Sequence, residues 1–163
     1  MARNLFRIHT LSYPAWARPA FWALLATECC LVLLLQSSMF LSMAATHGWQ
    51  PLVYASLWAG ADLHRGNGYE SPLHRACWRG HADVAETLLR YGADPNQTLP
   101  NNGNTPLHWA VVNGHARLAK LLLEHGADPT QVNRPQGATP LQLAQESPTP
   151  QMAPLLLAWH PAL

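Results

Sequence analysis

Between Thr105 and Asp128 the apolar residues fall on two short helical faces with a break between them. Leu107, Ala110 and Val111 stand at i, i+3 and i+4, the stripe of one helix. Asn113-Gly114 interrupts it. Leu118, Leu121, Leu122 and Leu123 then supply the apolar side of a second helix, which Gly126 ends. Thr105-Pro106 suits the start of the first helix. The threonine side chain can cap it, and proline fills the first turn, where a missing N–H is no loss. The pattern predicts a helix–turn–helix unit. A loop from Ala127-Asp128-Pro129 then returns through Gly137 to another Thr-Pro.

The unit recurs. Ser-Pro-Leu-His at 71–74, Thr-Pro-Leu-His at 105–108 and Thr-Pro-Leu-Gln at 139–142 start 34 residues apart, and Gly-Ala-Asp keeps phase at 60–62, 92–94 and 126–128. A motif with a fixed period of roughly 20–50 residues marks a stacked array. In the last unit Thr139-Pro140-Leu141 opens the first helix, and Ser147-Pro148-Thr149-Pro150 replaces Asn-Gly-His. Met152, Leu155, Leu156 and Leu157 form the second helix, which ends near Trp159 and reads as a C-terminal cap. Pro154 is acceptable only in the first turn of that helix. Counting back from Gly60 places a first unit with helices at about 39–48 and 50–59. Ala44 and Gly48 fall where Ala76 and Gly80 fall, and Met39-Phe40-Leu41-Ser42 replaces the Thr-Pro-Leu-His word. The expected array occupies 39–163, with units at about 39–66, 71–100, 105–135 and 139–160, the outer two degenerate.

Taken in register, these words resemble the ankyrin repeat. Its Thr-Pro-Leu-His-x-Ala motif stands as Ser71-Pro72-Leu73-His74-Arg75-Ala76 and Thr105-Pro106-Leu107-His108-Trp109-Ala110. The following Gly-His stands as Gly80-His81 and Gly114-His115, and the second helix with its stop as Val84 through Asp94 and Leu118 through Asp128. The clear resemblance covers about residues 50–160. It implies an all-α ankyrin-repeat solenoid with short β-hairpin fingers. It also implies that binding uses what the scaffold leaves free, the finger tips and the exposed end of each first helix, lining a concave face. By position these are Asn67, Tyr69, Glu70, Trp78 and Arg79, then Asn101, Asn102, Asn104, Val112 and Asn113, then Pro135, Gln136, Ala138, Glu146 and Ser147. Tyr, Trp and Arg are enriched at binding hot spots, which makes Tyr69, Trp78 and Arg79 the expected anchors, unless Trp78 packs against the next unit. In this family an Asn at the position of Asn96 stabilises the hairpin, and in some animal members it is hydroxylated.

Residues 1–38 form a separate segment. Residues 1–19 carry Arg3, Arg7 and Arg18 and no acid, and residues 20–35 are strongly apolar but for Glu28. A membrane span over 20–42 is long enough, with the arginines holding the N-terminus in the cytoplasm. Glu28 would cost it roughly 2.5–3.5 kcal/mol, which the leucines can offset. A signal peptide would cleave after Ser42-Met43-Ala44, although its basic region is long. A soluble helix could instead cap the first unit, which suits Glu28 and the Gln36-Ser37-Ser38 break. The arginine-only flank has no role in a cap and favours the anchor. A true start at Met39 or Met43 would remove the conflict between the first two readings and a unit beginning at 39. The corresponding locations are the membrane, through one N-terminal helix, or the cytoplasm, with export fitting less well.

Charge removes one class of function. Ten Lys and Arg stand against nine Asp and Glu, without a basic stripe, so there is no electrostatic case for nucleic acid. Cys29, Cys30 and Cys77 cannot form a disulfide framework, and Cys77 is expected as a small buried apolar residue. His74 and His108, like His81 and His115, lie one unit apart. Stacking separates such residues by about 10 Å, too far to share a zinc ion with bonds near 2.1 Å. They are expected to hydrogen-bond between neighbouring units. Asp62, Asp94 and Asp128 recur after Gly-Ala, which points to Asx turns rather than a carboxylate pair. No phosphate loop, His-Glu-x-x-His, Gly-x-Ser-x-Gly or Cys-x-x-Cys is present. The expected function is a non-catalytic module without cofactor or metal that binds another protein. The alternative is a membrane-tethered or exported accessory protein whose array serves an enzyme or toxin-like pathway.

Overall fold

The computed structural model describes residues 38–64, 70–134, 136–146 and 151–159. The readings made for residues 1–37, including span, signal and cap, lie outside them. Eight helices are present among the described residues, in four consecutive pairs: α1 (Ser38–His47) with α2 (Gln50–Trp58), α3 (Pro72–Arg79) with α4 (Ala82–Arg90), α5 (Pro106–Val112) with α6 (Ala116–Glu124), and α7 (Pro140–Glu146) with α8 (Met152–Ala158).

Local chemistry sets the helix ends. Ser71 and Thr105 sit in extended backbone just before α3 and α5, and their hydroxyl oxygens accept from the backbone N–H groups of His74 and His108 at 3.5 Å. Proline occupies the first turn of both helices. Gly80 ends α3 in the left-handed region, at φ 80°, where a side chain would be strained. Pro154 is the third residue of α8, inside the first turn, where proline is tolerated.

The pairs stack in two layers. First helices pack in the order α1, α3, α5, α7, and second helices in the order α2, α4, α6, α8. One continuous core runs between the layers, through Leu41 and Val53, Leu73 and Leu88, Leu107 and Leu122, and Met152 and Leu156. Ala44, Ala76 and Ala110 are fully buried where helices approach closely. Cys77 is also fully buried, and desolvation pushes its thiol pKa up, so it packs as an apolar residue. Three leucines depart from the expected apolar side: Leu121 and Leu155 are only half-buried, and Leu157 is exposed.

The first unit is degenerate for a visible reason. Ser42 stands where His74 and His108 stand, and it is too short to reach the backbone of the next unit. Its hydroxyl and that of Ser56 are buried without a hydrogen-bond partner among the described residues. The fingers are tighter than the hairpins implied by resemblance. No strand occurs among the described residues. Two backbone bonds close each turn: Leu99 N–H to Asn104 O at 3.0 Å with Gly103 N–H to Leu99 O at 2.8 Å, and Asn133 N–H to Ala138 O at 3.0 Å with Gly137 N–H to Asn133 O at 3.1 Å. Pro100 brings no N–H that could extend a ladder. A further bond, from Arg134 N–H to Asn102 O at 2.6 Å, ties one finger to the next.

Candidate protein-binding surface

The last turns of the first helices place the expected anchors. Trp78 and Arg79 end α3, and both are exposed. The Arg79 guanidinium lies over the Trp78 ring, 4.5 Å from its centroid. A cation held on an aromatic face is partly pre-ordered and still has N–H groups to offer. Among the described residues, no carboxylate pairs with Arg79. Trp78 retains 43% of its surface, so it is not consumed by packing on the next unit. The neighbouring helix ends add an exposed Val112, an exposed Asn113 and an exposed Glu146.

The finger residues divide differently from the sequence expectation. Asn101 and Gln136 are exposed. Asn102 is committed to the scaffold: its Oδ1 accepts from Asn104 N–H at 3.1 Å, and its carbonyl accepts the Arg134 bond. Asn104 is half-buried, with its Oδ1 buried and without a partner among the described residues. Ala138 is half-buried and bonded to Asn133. The Asn113 amide turns back to Trp109 O at 2.9 Å. Glu70 is half-buried and pairs with Arg75 at 3.5 Å. Asn67, Tyr69, Pro135 and Ser147 lie outside the described residues. Sequence reasoning missed Val132 and Arg134, which are exposed beside a groove of about 390 Å³ shared with Leu99 and Pro100. Their only signal was position, just before Pro135 in a finger.

The histidines join units. Nε2 of His74 donates to Asn104 O, and Nε2 of His108 donates to Ala138 O, each at 3.2 Å. Carbonyl oxygens only accept, so Nε2 carries a proton in both rings, and their lowered pKa values leave Nδ1 bare. Their Nδ1 atoms are then acceptors, facing the hydroxyls of Ser71 and Thr105 at 2.7 Å. Thr105 N–H also donates to Nδ1 of His108, completing a reciprocal cap. Burial holds the His74 pKa down at about 4 and lowers that of His108. His81 similarly bridges to Thr46 O at 3.1 Å.

The Gly-Ala-Asp loops repeat one device. Oδ1 of Asp62, Asp94 and Asp128 accepts from the backbone N–H two residues on, at 2.8 Å in each case. Asn96 extends this across units, donating to Gly126 O at 2.9 Å and accepting from Asp128 N–H at 2.7 Å. Among the described residues, no three His, Cys, Asp or Glu side chains gather as a metal site would require.

A family model described as Ankyrin repeats (3 copies) matches residues 41–133 and 73–161. Among curated proteins, Ankyrin repeat and SOCS box protein 5 of Mus musculus is 39% identical over 44 residues, 27% of this chain and 13% of that protein. Ankyrin repeat and SOCS box protein 11 of Danio rerio is 54% identical over 35 residues, 22% of this chain and 12% of that protein. Each match therefore spans about an eighth of the relative's length.

Proposed function

This chain belongs to the ankyrin-repeat family, whose repeats generally mediate protein–protein interaction, and on that premise we propose a non-catalytic module that binds another protein through its first-helix ends and fingers. The observation that carries this reading is the Trp78–Arg79 pair: exposed, stacked, and free of a carboxylate among the described residues. Aromatic and arginine side chains contribute disproportionately at interfaces, because they bury much area with few degrees of freedom. Val112, Asn101 and Glu146 extend the surface along the stack. The relatives' names join ankyrin repeats to a SOCS box, which supports an adaptor role in which such an array holds a partner for another module. The test is affinity capture with the full chain, followed by measurement of the identified partner's affinity for Trp78→Ala with Arg79→Ala. Binding should weaken at least tenfold while melting stays cooperative and unshifted. Normal binding together with early melting would assign Trp78 to the core and remove the proposed anchor.

A further inference from the structure

The outer faces of the second helices are not alike. In α4, Glu86 and Arg90 form an ion pair at 2.8 Å, and in α6 Lys120 and Glu124 form one at 3.8 Å. The glycines after these helices, Gly60, Gly92 and Gly126, all lie at positive φ and set the register. In that register the paired positions of α2 are Tyr54 and Trp58. Trp58 is 86% exposed and Tyr54 47%. Trp49, just before the helix at the position of His81, is stacked on His47 with ring centroids 5.2 Å apart and is not part of this face. The position of Asp83 and Arg117, which pair across units at 3.4 Å, is Pro51 in α2. One unit of the array has thus exchanged its charged outer face for a neutral aromatic one.

We propose that the outer face of α2, through Tyr54 and Trp58, rests on a lipid bilayer surface. A solvated helix face has no use for a tryptophan this exposed beside a tyrosine. Tyr and Trp combine an apolar ring with a polar atom, which suits the boundary between headgroups and acyl chains. A protein partner would more readily tolerate a charged rim. Here the sequence carries no Asp, Glu, Lys or Arg from Cys29 through Ala61. That run begins inside the apolar stretch 20–35 and leads into α1 at Ser38, so the chain preceding the aromatic unit is the part of the sequence most compatible with lipid. The face is neutral, so a zwitterionic surface suffices. The site is separate from Trp78 and Arg79, which end α3 in the other helix layer, so either can fail without the other.

The test places an environment-sensitive fluorophore on single accessible cysteines in the full chain, with Cys29 and Cys30 changed to serine and the fully buried Cys77 kept. Trp58→Cys and Tyr54→Cys report on the proposed face, and Arg90→Cys and Glu124→Cys on the charged faces of α4 and α6. Phosphatidylcholine vesicles should blue-shift the labels at 54 and 58, and brominated lipid should quench them several-fold more than the labels at 90 and 124. Equal water exposure at all four positions with vesicles present would overturn the proposal. So would a concentration-dependent blue shift at 58 without lipid, which would make a second copy of the chain the occupant. Tyr54→Glu with Trp58→Arg restores the charge pattern of α4 and should abolish quenching of a label at Pro51→Cys with unchanged melting. If that variant melts early, the labels at 54 and 58 still decide the question.

Discussion

The ring of His81 rests against the backbone of Gly48, one unit upstream: a Cβ on Gly48 would lie 2.8 Å from its Nδ1. Its Nε2 meanwhile donates to Thr46 O at 3.1 Å. His115 meets Gly80 in the same way, with its Cε1 2.6 Å from the corresponding point. The Gly-His word is therefore not one local signal. Its glycine receives the histidine of the following unit, and its histidine covers the glycine of the preceding one.

Gly80→Ala is expected to destabilise more than Gly92→Ala. Both residues have positive φ, so alanine costs about 1–2 kcal/mol at either. Only Gly80 has a ring in the way, and Gly92 faces open space. Overpacking of this kind adds about 1–3 kcal/mol. Urea titration of the two variants reads the difference, and equal losses would refute the interlock.

Stability should fall in mild acid. The His74 pKa is about 4 in the folded protein, against 6.5 ordinarily, so the unfolded chain takes up the proton first. The contribution is fully present above pH 6.5 and is lost as pH falls from 6.5 to about 4, below which both states are protonated. The loss from this residue is about 3 kcal/mol. His108 is shifted in the same direction. His74→Gln should flatten the dependence, since Gln142 already fills the equivalent place and accepts from Thr139 N–H at 2.9 Å. An unchanged pH slope in that variant would exclude His74 as the source.

Leu122→Ala should cost about 2–5 kcal/mol, because Leu122 is fully buried in the central core and its removal leaves a cavity. A loss under about 0.5 kcal/mol in urea would contradict the register of the stack.

Asn96→Ala should cost roughly 1–3 kcal/mol by removing both side-chain bonds to the next unit and orphaning the Asp128 amide. Hydrogen exchange at Asp128 should accelerate along with the loss. Unaltered protection would show that the amide finds another acceptor.

Periodicity and turn chemistry made the four helix pairs legible from the chain alone. A stripe at i, i+3 and i+4 with a Thr-Pro start and a glycine stop is local information, and each pair is short enough for local information to specify it. The Asx turns at Asp62, Asp94 and Asp128 were readable for the same reason. Trp78 and Arg79 were legible as surface candidates because they follow the buried positions of α3 by one helical step. Exposure was not legible where it depends on neighbours. Asn102 and Asn104 look like free finger residues until the adjoining finger takes up the Asn102 carbonyl and packing half-buries Asn104. Tyr54 and Trp58 are apolar positions in the pattern, yet among the described residues both stay exposed. A side chain's type is set by its codon, but its burial is set by residues 30 or more positions away, as in the bonds His74 makes to Asn104 and His81 to Thr46. The sequence by itself determined the unit, its period and its caps. Stacking decided which polar groups became structure and which apolar ones were left facing out, because only the packed neighbour removes a residue from water.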